Sequence, residues 1–141
     1  GAGNAERIKA IKRMAYITVI IMGAVFSLSG ILFPVTVCRI FIKMDPTLSA
    51  IAGYGVRGYF FAFLPFGINL LTSYYLQAIL SSGKSLCISL LRNIILSSVC
   101  ILIFPLFAGA NSLWFVMPVV EVIVLCLCLY FLRTPLEDPR K

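Results

Sequence analysis

Glu121 is an acid set inside an otherwise uncharged apolar run, Leu113 to Leu132. A carboxylate at the centre of a bilayer costs about 2.5–3.5 kcal/mol on insertion scales, so it must face protein or water, pair with a cation, or carry a proton. Such a group binds a proton, a coupling cation or a cationic substrate, or it serves as a structural partner for Arg92 or Arg57. Amides and hydroxyls in the preceding runs offer weaker chemistry. Asn69, Ser73 and Gln77 recur at every fourth position with Tyr74 beside them, which puts them along one side of a helix. Ser85, Ser89, Asn93 and Ser97 repeat at the same spacing, and Arg92 adjoins them. Two polar stripes on consecutive helices either hydrogen-bond each other or line an aqueous cavity, and both readings stand. Asn69, Ser73, Tyr74, Gln77, Asn93 and Glu121 therefore make up the candidate ion or substrate pathway. Arg92 follows Lys84 closely enough to be read as snorkelling to the membrane surface, and Arg57 as an interfacial anchor on the other side.

These residues need long helices to hold them. The chain has 141 residues, 61% hydrophobic and only 12% charged. A soluble domain carries about 25% charged residues, so these charges are too few to cover a water-facing surface. A helix rising about 1.5 Å per residue needs roughly 20 residues to cross a hydrocarbon core of about 30 Å. Four runs are long enough, near 14–38, 58–81, 86–107 and 113–132. A transmembrane β-barrel would alternate apolar and polar positions in segments of about ten residues, and no such alternation is present. The expected fold is all-α: a polytopic four-helix membrane segment over 14–132. A cytoplasmic connecting segment over 1–13 precedes it and a cytoplasmic tail over 133–141 comes after it. Pro34, Pro65, Pro105 and Pro118 punctuate the four spans, and Gly23 with Ser27 has the small-residue spacing of a close helix contact.

Orientation is set by Lys and Arg. Arg7, Lys9, Lys12, Arg13, Lys84, Arg92, Arg133, Arg140 and Lys141 flank one side, against Arg39, Lys43 and Arg57 on the other. The positive-inside rule then places both ends in the cytoplasm, which points to a multi-pass protein of the plasma membrane. The net charge of +7 is spread over these flanks, so it marks a membrane face and excludes nucleic acid as a partner. Cys38, Cys87, Cys100, Cys126 and Cys128 have no CxxC spacing and no His accompanies them, so they are packing residues and no metal site is expected. Paired carboxylates and nucleophile–base constellations are also missing, so the chain is not read as an enzyme and no cofactor is expected. Gly1-Ala2-Gly3-Asn4 comes with no initiator Met and no signal h-region, and reads as a connection inside a longer protein.

Several stretches carry a family resemblance. Gly1-Ala2-Gly3-Asn4-Ala5-Glu6-Arg7 resembles the segment after the eighth helix of multidrug and toxic compound extrusion (MATE) transporters. Pro65-Phe66-Gly67-Ile68-Asn69 through Ser73-Tyr74-Tyr75-Leu76-Gln77-Ala78 looks like their tenth helix. Gly83-Lys84-Ser85 with Ile88-Ser89-Leu90-Leu91-Arg92-Asn93 looks like the turn into the eleventh. Leu113-Trp114 and Pro118 resemble the start of the twelfth. The bacterial multidrug export branch is the nearest in pattern. The resemblance implies that the four spans are the last four of a twelve-helix antiporter. Such a protein exports drugs or organic cations in exchange for H+ or Na+, and its partners are the bilayer, small cationic substrates and the remaining helices. The tenth helix of some members bears a carboxylate. Here that position of the fold has only Asn69, Ser73 and Gln77. A lipid-linked oligosaccharide flippase of the same fold and a structural four-helix membrane protein are the alternatives.

Overall fold

The computed structural model describes residues 5–41, 43, 46–79 and 82–133, and every element among them is a helix. The stretch Gly1 to Asn4, Asp45, Ser81 and the tail after Arg133 lie outside the described residues.

Prolines decide where the helices are cut. α1 (Ala5–Leu32) runs without interruption from the basic lead-in through the first apolar stretch, with Glu6 in its first turn where an acid suits the helix dipole. It therefore begins well before Met14, where the apolar run starts. It stops at Leu32 because Pro34 has no N–H to continue the ladder, and Pro34 instead opens the short α2 (Pro34–Phe41). The expected first span, 14–38, is thus divided, and the membrane-length piece is Glu6–Leu32.

α3 (Pro46–Phe60) and α4 (Phe63–Ala78) form one long apolar stretch with a turn at Phe61 and Ala62. Pro65 accounts for that turn, since it cannot donate to the carbonyl of Phe61. The membrane-length stretch here is Ser49–Ala78, so the second crossing starts earlier than the expected residue 58.

α5 (Ser82–Leu90) passes through a π-helical segment, Leu91–Leu96, into α6 (Ser97–Ala108). Gly109, at φ 72°, ends that crossing in a conformation that only glycine adopts at no steric cost. A 3-10 turn (Ala110–Phe115) then leads into α7 (Val116–Arg133), with Pro118 in the first turn, where its missing N–H is harmless. The last two membrane-length stretches are Gly83–Ala108 and Ala110–Arg133. Four helical stretches of the chain are thus long and apolar enough to span a membrane.

α4 is the hub: it packs against α1, α7 and α5. Its contact with α1 is made close by small residues. A Cβ on Gly23 would meet the Leu64 backbone at 3.1 Å, and Ser27 Oγ donates to the Phe60 carbonyl at 2.9 Å. Near the 3-10 turn, Gly55 lies so near Trp114 that a Cβ would clash with its ring. The buried apolar centre is small: Leu76, Ile88, Cys100, Val116, Val120, Val124 and Cys128. Large apolar side chains lie outside it, with Leu106 at 81% and Phe107 at 86% exposure. In water such a surface would drive association, whereas against acyl chains it is the ordinary exterior of a membrane bundle.

Candidate functional site

The polar groups gather where α4, α7 and the π segment meet. Asn69 faces α7 because Thr72, Ser73 and Leu76, its neighbours on the inner side of α4, are buried with it. Glu121 faces back with Val120 and Val124, and both Asn69 and Glu121 have no exposure at all. Asn69 Nδ2 donates twice, to Glu121 Oε2 at 2.7 Å and to the Glu121 main-chain carbonyl at 2.8 Å. Glu121 Oε1 and Asn69 Oδ1 have no hydrogen-bond partner, the two buried side-chain atoms so left among the described residues.

Arg92 supplies the opposite charge. Its Nε lies 3.9 Å from Glu121 Oε1, beyond hydrogen-bonding distance, with its side chain 16% exposed. The Nε hydrogen goes instead to Asn93 Oδ1 at 3.3 Å, and the guanidinium sits 5.1 Å from the centre of the Phe66 ring. At an effective dielectric of about 20, two unit charges about 4 Å apart attract by about 4 kcal/mol before the desolvation cost is deducted. Arg92 is thus attracted to Glu121 without being latched to it.

This placement departs from the snorkelling expected of Arg92. The reason is local: a π turn holds one residue more than an α turn and so rotates the rest of the helix about its axis. Ser97 Oγ donates to the Arg92 carbonyl at 2.6 Å, satisfying a backbone oxygen where the ladder changes register. The same rotation breaks the expected stripe on this helix. Ser85 is buried and Ser89 and Ser97 are partly buried, whereas Asn93 is exposed and reaches the centre only through Arg92.

Toward the Lys84 end, the stripes meet as expected for consecutive helices. Ser73 and Ser85 hydroxyls are 2.8 Å apart, and Gln77 Nε2 donates to Ser85 Oγ at 3.0 Å. Tyr74, 59% exposed, lies at the edge of this group. Residues that sequence spacing did not single out also take part. Thr72 is buried and donates to the Ile68 carbonyl at 2.8 Å, so the Tyr16 hydroxyl, 2.8 Å from Thr72 Oγ1, donates to it. Thr72 is adjacent to Ser73 but off its stripe, and Tyr16 is an ordinary residue in an apolar run; no local signal marks either.

Two cavities flank the Arg92–Glu121 pair. One, of about 120 Å³, is lined by Tyr59, Ala62, Phe63, Phe66, Met117 and Glu121. The other, of about 200 Å³, is lined by Ser73, Gln77, Ser89 and Arg92 together with Leu70, Tyr74 and Ile88. They lie on opposite sides of Asn69 along α4: Phe66 and Ser73 are roughly 10 Å apart at about 1.5 Å of rise per residue. The first is lined mainly by aromatic side chains and borders Glu121, whose carboxylate is itself covered, and the second is polar with Arg92 in its wall. Chemically, the first suits the apolar body of a cation and the second suits water.

No family model matches the chain, and no curated protein or solved structure was found similar to it.

Proposed function

We propose that the chain forms part of a secondary active antiporter of the MATE type, exporting drugs or organic cations in exchange for H+ or Na+ across the plasma membrane. The observation that carries this reading is Glu121: an acid with no exposure, at mid-span, beside an aromatic cavity. An acid in that setting attracts cations strongly, because little water competes, and Tyr59, Phe63 and Phe66 line the cavity beside it. The resemblance of the second to fourth spans to the tenth to twelfth helices of that family supports the same reading. The polar pathway then comprises Asn69, Ser73, Gln77 and Glu121, with Tyr74 and Asn93 at its margins.

The flippase alternative asks for an excess of positive charge to hold phosphate. Arg92 is the cation in the polar cavity, and Glu121 opposes it, so the centre carries no such excess. The antiporter reading is tested by Glu121→Gln in the intact transporter, with ethidium efflux measured in cells. Efflux should fall while membrane expression is maintained. Unchanged efflux, with unchanged dependence on pH and Na+, overturns the assignment. The four spans expressed alone should not transport, because the other helices of the pathway are missing.

A further inference from the structure

α1 is longer than a bilayer needs. Its 28 residues extend about 42 Å at about 1.5 Å per residue, against a hydrocarbon core of about 30 Å. Roughly two turns must therefore lie outside the core. Glu6, Arg7, Lys9, Lys12 and Arg13 all sit at the N-terminal end and no charged residue follows them on α1, so that end is the one outside. About 20 residues counted back from Leu32 reach Lys12, which puts its backbone near the level where acyl chains give way to headgroups.

At that level a groove of about 330 Å³ opens between α1 and α4. The two helices run antiparallel, with Ser27 on Phe60, Gly23 on Leu64 and Tyr16 on Thr72, so the outer end of α1 lies beside the end of α4. Ile8, Ile11 and Ala15 of α1 and Leu71 of α4 give the groove an apolar wall. Lys12, Tyr74 and Tyr75 give it a polar edge, and the Lys12 ammonium stands 4.1 Å from the centre of the Tyr75 ring. Lys12 is half-buried there, while Arg7, Lys9 and Arg13 are exposed. Among the described residues no carboxylate pairs with it. Glu6, the acid of α1, lies about 120° away from Lys12 around the helix and nearly in line with Arg13. An ammonium has three donors, and a ring face leaves some of them for an oxygen anion.

We propose that this groove binds an anionic phospholipid, its phosphate on Lys12 with the Tyr74 hydroxyl as a second donor, and its acyl chain along Ile11, Ala15 and Leu71. The charge argues for this occupant. A further helix laid there would cover Lys12 at a desolvation cost unless it brought an acid of its own. A free anion would leave the apolar wall bare. A phospholipid satisfies the ammonium and the wall with one molecule, and Arg7, Lys9 and Arg13 around the groove favour a headgroup with net negative charge. The proposal needs a membrane-spanning bundle and nothing of the antiporter reading.

Fluorescence quenching in bilayers tests it. Tyr75→Trp places a reporter in the groove and keeps a ring beside Lys12. The unsubstituted protein, with Trp114 against Gly55 at the opposite end of the bundle, supplies the baseline. Brominated phosphatidylglycerol titrated into phosphatidylcholine vesicles should quench the reporter with a clear preference over brominated phosphatidylcholine. Adding Lys12→Gln should reduce that preference about fivefold, the effect of one basic residue near an anionic surface, and Lys12→Arg should keep it. Arg13→Gln removes the same charge from outside the groove and should reduce it less than twofold. Equal losses in Lys12→Gln and Arg13→Gln mean a diffuse surface attraction and overturn the proposal. So does relief of quenching by excess inorganic phosphate, which would assign the place to a soluble anion. A reporter that neither lipid quenches means that protein fills the groove, and that result overturns it as well.

Discussion

The bond between Asn69 and Glu121 gives the most direct test of the centre. Asn69→Leu removes the amide with little change in volume, and Glu121→Met removes the carboxylate in the same way. Asn69 Nδ2 makes two bonds, to the side chain and to the main chain of Glu121, and only the first depends on the carboxylate. A double-mutant cycle therefore cancels the main-chain bond and leaves the 2.7 Å contact. Hydrogen bonds to charged groups contribute about 1.5–3 kcal/mol in soluble proteins, while interhelical bonds in membranes average about 0.6 and reach about 1.7 kcal/mol. A short bond with neither residue exposed belongs near the top of the membrane range. The expected coupling is about 1.5 kcal/mol, roughly tenfold in the unfolding equilibrium. Reversible unfolding in mixed micelles, monitored by steric trapping, reads it. A coupling below about 0.3 kcal/mol would refute the reasoning, because additive effects mean the two residues do not share a bond.

Gly55→Ala should destabilise the bundle by about 1–3 kcal/mol through overpacking against Trp114, while Gly53→Ala, with open space around it, should be neutral or slightly stabilising; thermal unfolding in detergent compares them. Pro65→Ala restores a donor for the Phe61 carbonyl, so hydrogen exchange of the amides after the Phe61–Ala62 turn should slow, and unchanged exchange would mean another cause for the break. Ser97→Ala removes the 2.6 Å bond to the Arg92 carbonyl and should cost about 0.6 kcal/mol, with the carbonyl stretch of isotope-labelled Arg92 shifting toward that of a free group.

The sequence indicates four helical stretches long and apolar enough to span a membrane, because composition and charge spacing report directly on what a bilayer tolerates, and the cost of an acid in such a stretch singles out Glu121, which the structure buries. The α4 stripe was legible too: Asn69, Ser73 and Gln77 do meet partners on α5 and α7, since that helix is regular through the stripe. On the next helix, spacing misled. A stripe drawn through Ser85, Ser89, Asn93 and Ser97 assumes an unbroken α period, and the π segment at Leu91–Leu96 departs from it. Arg92 was placed at the membrane surface on its distance from Lys84, whereas its environment depends on that rotation and on the depth of Glu121 in another helix. Crossing limits were blurred where a proline interrupts an apolar run, because hydropathy registers Pro34 and Pro65 only weakly while the backbone registers them fully.

A π segment amounts to one residue inserted into an α-helix whose two ends keep their places. Deleting Ile94 would let the segment relax into an ordinary helix of nearly the same hydropathy, still able to insert. Because that helix would cover the same angle with one residue fewer, the turns on either side would keep the faces they present now, and Ser97 would follow Arg92 by four positions, so that its N–H could take the Arg92 carbonyl in place of its hydroxyl. Straightening the segment with every residue kept is the opposite case: one side would turn against the other by roughly 100°. The extra residue is thus tolerated only because the widened turn absorbs it.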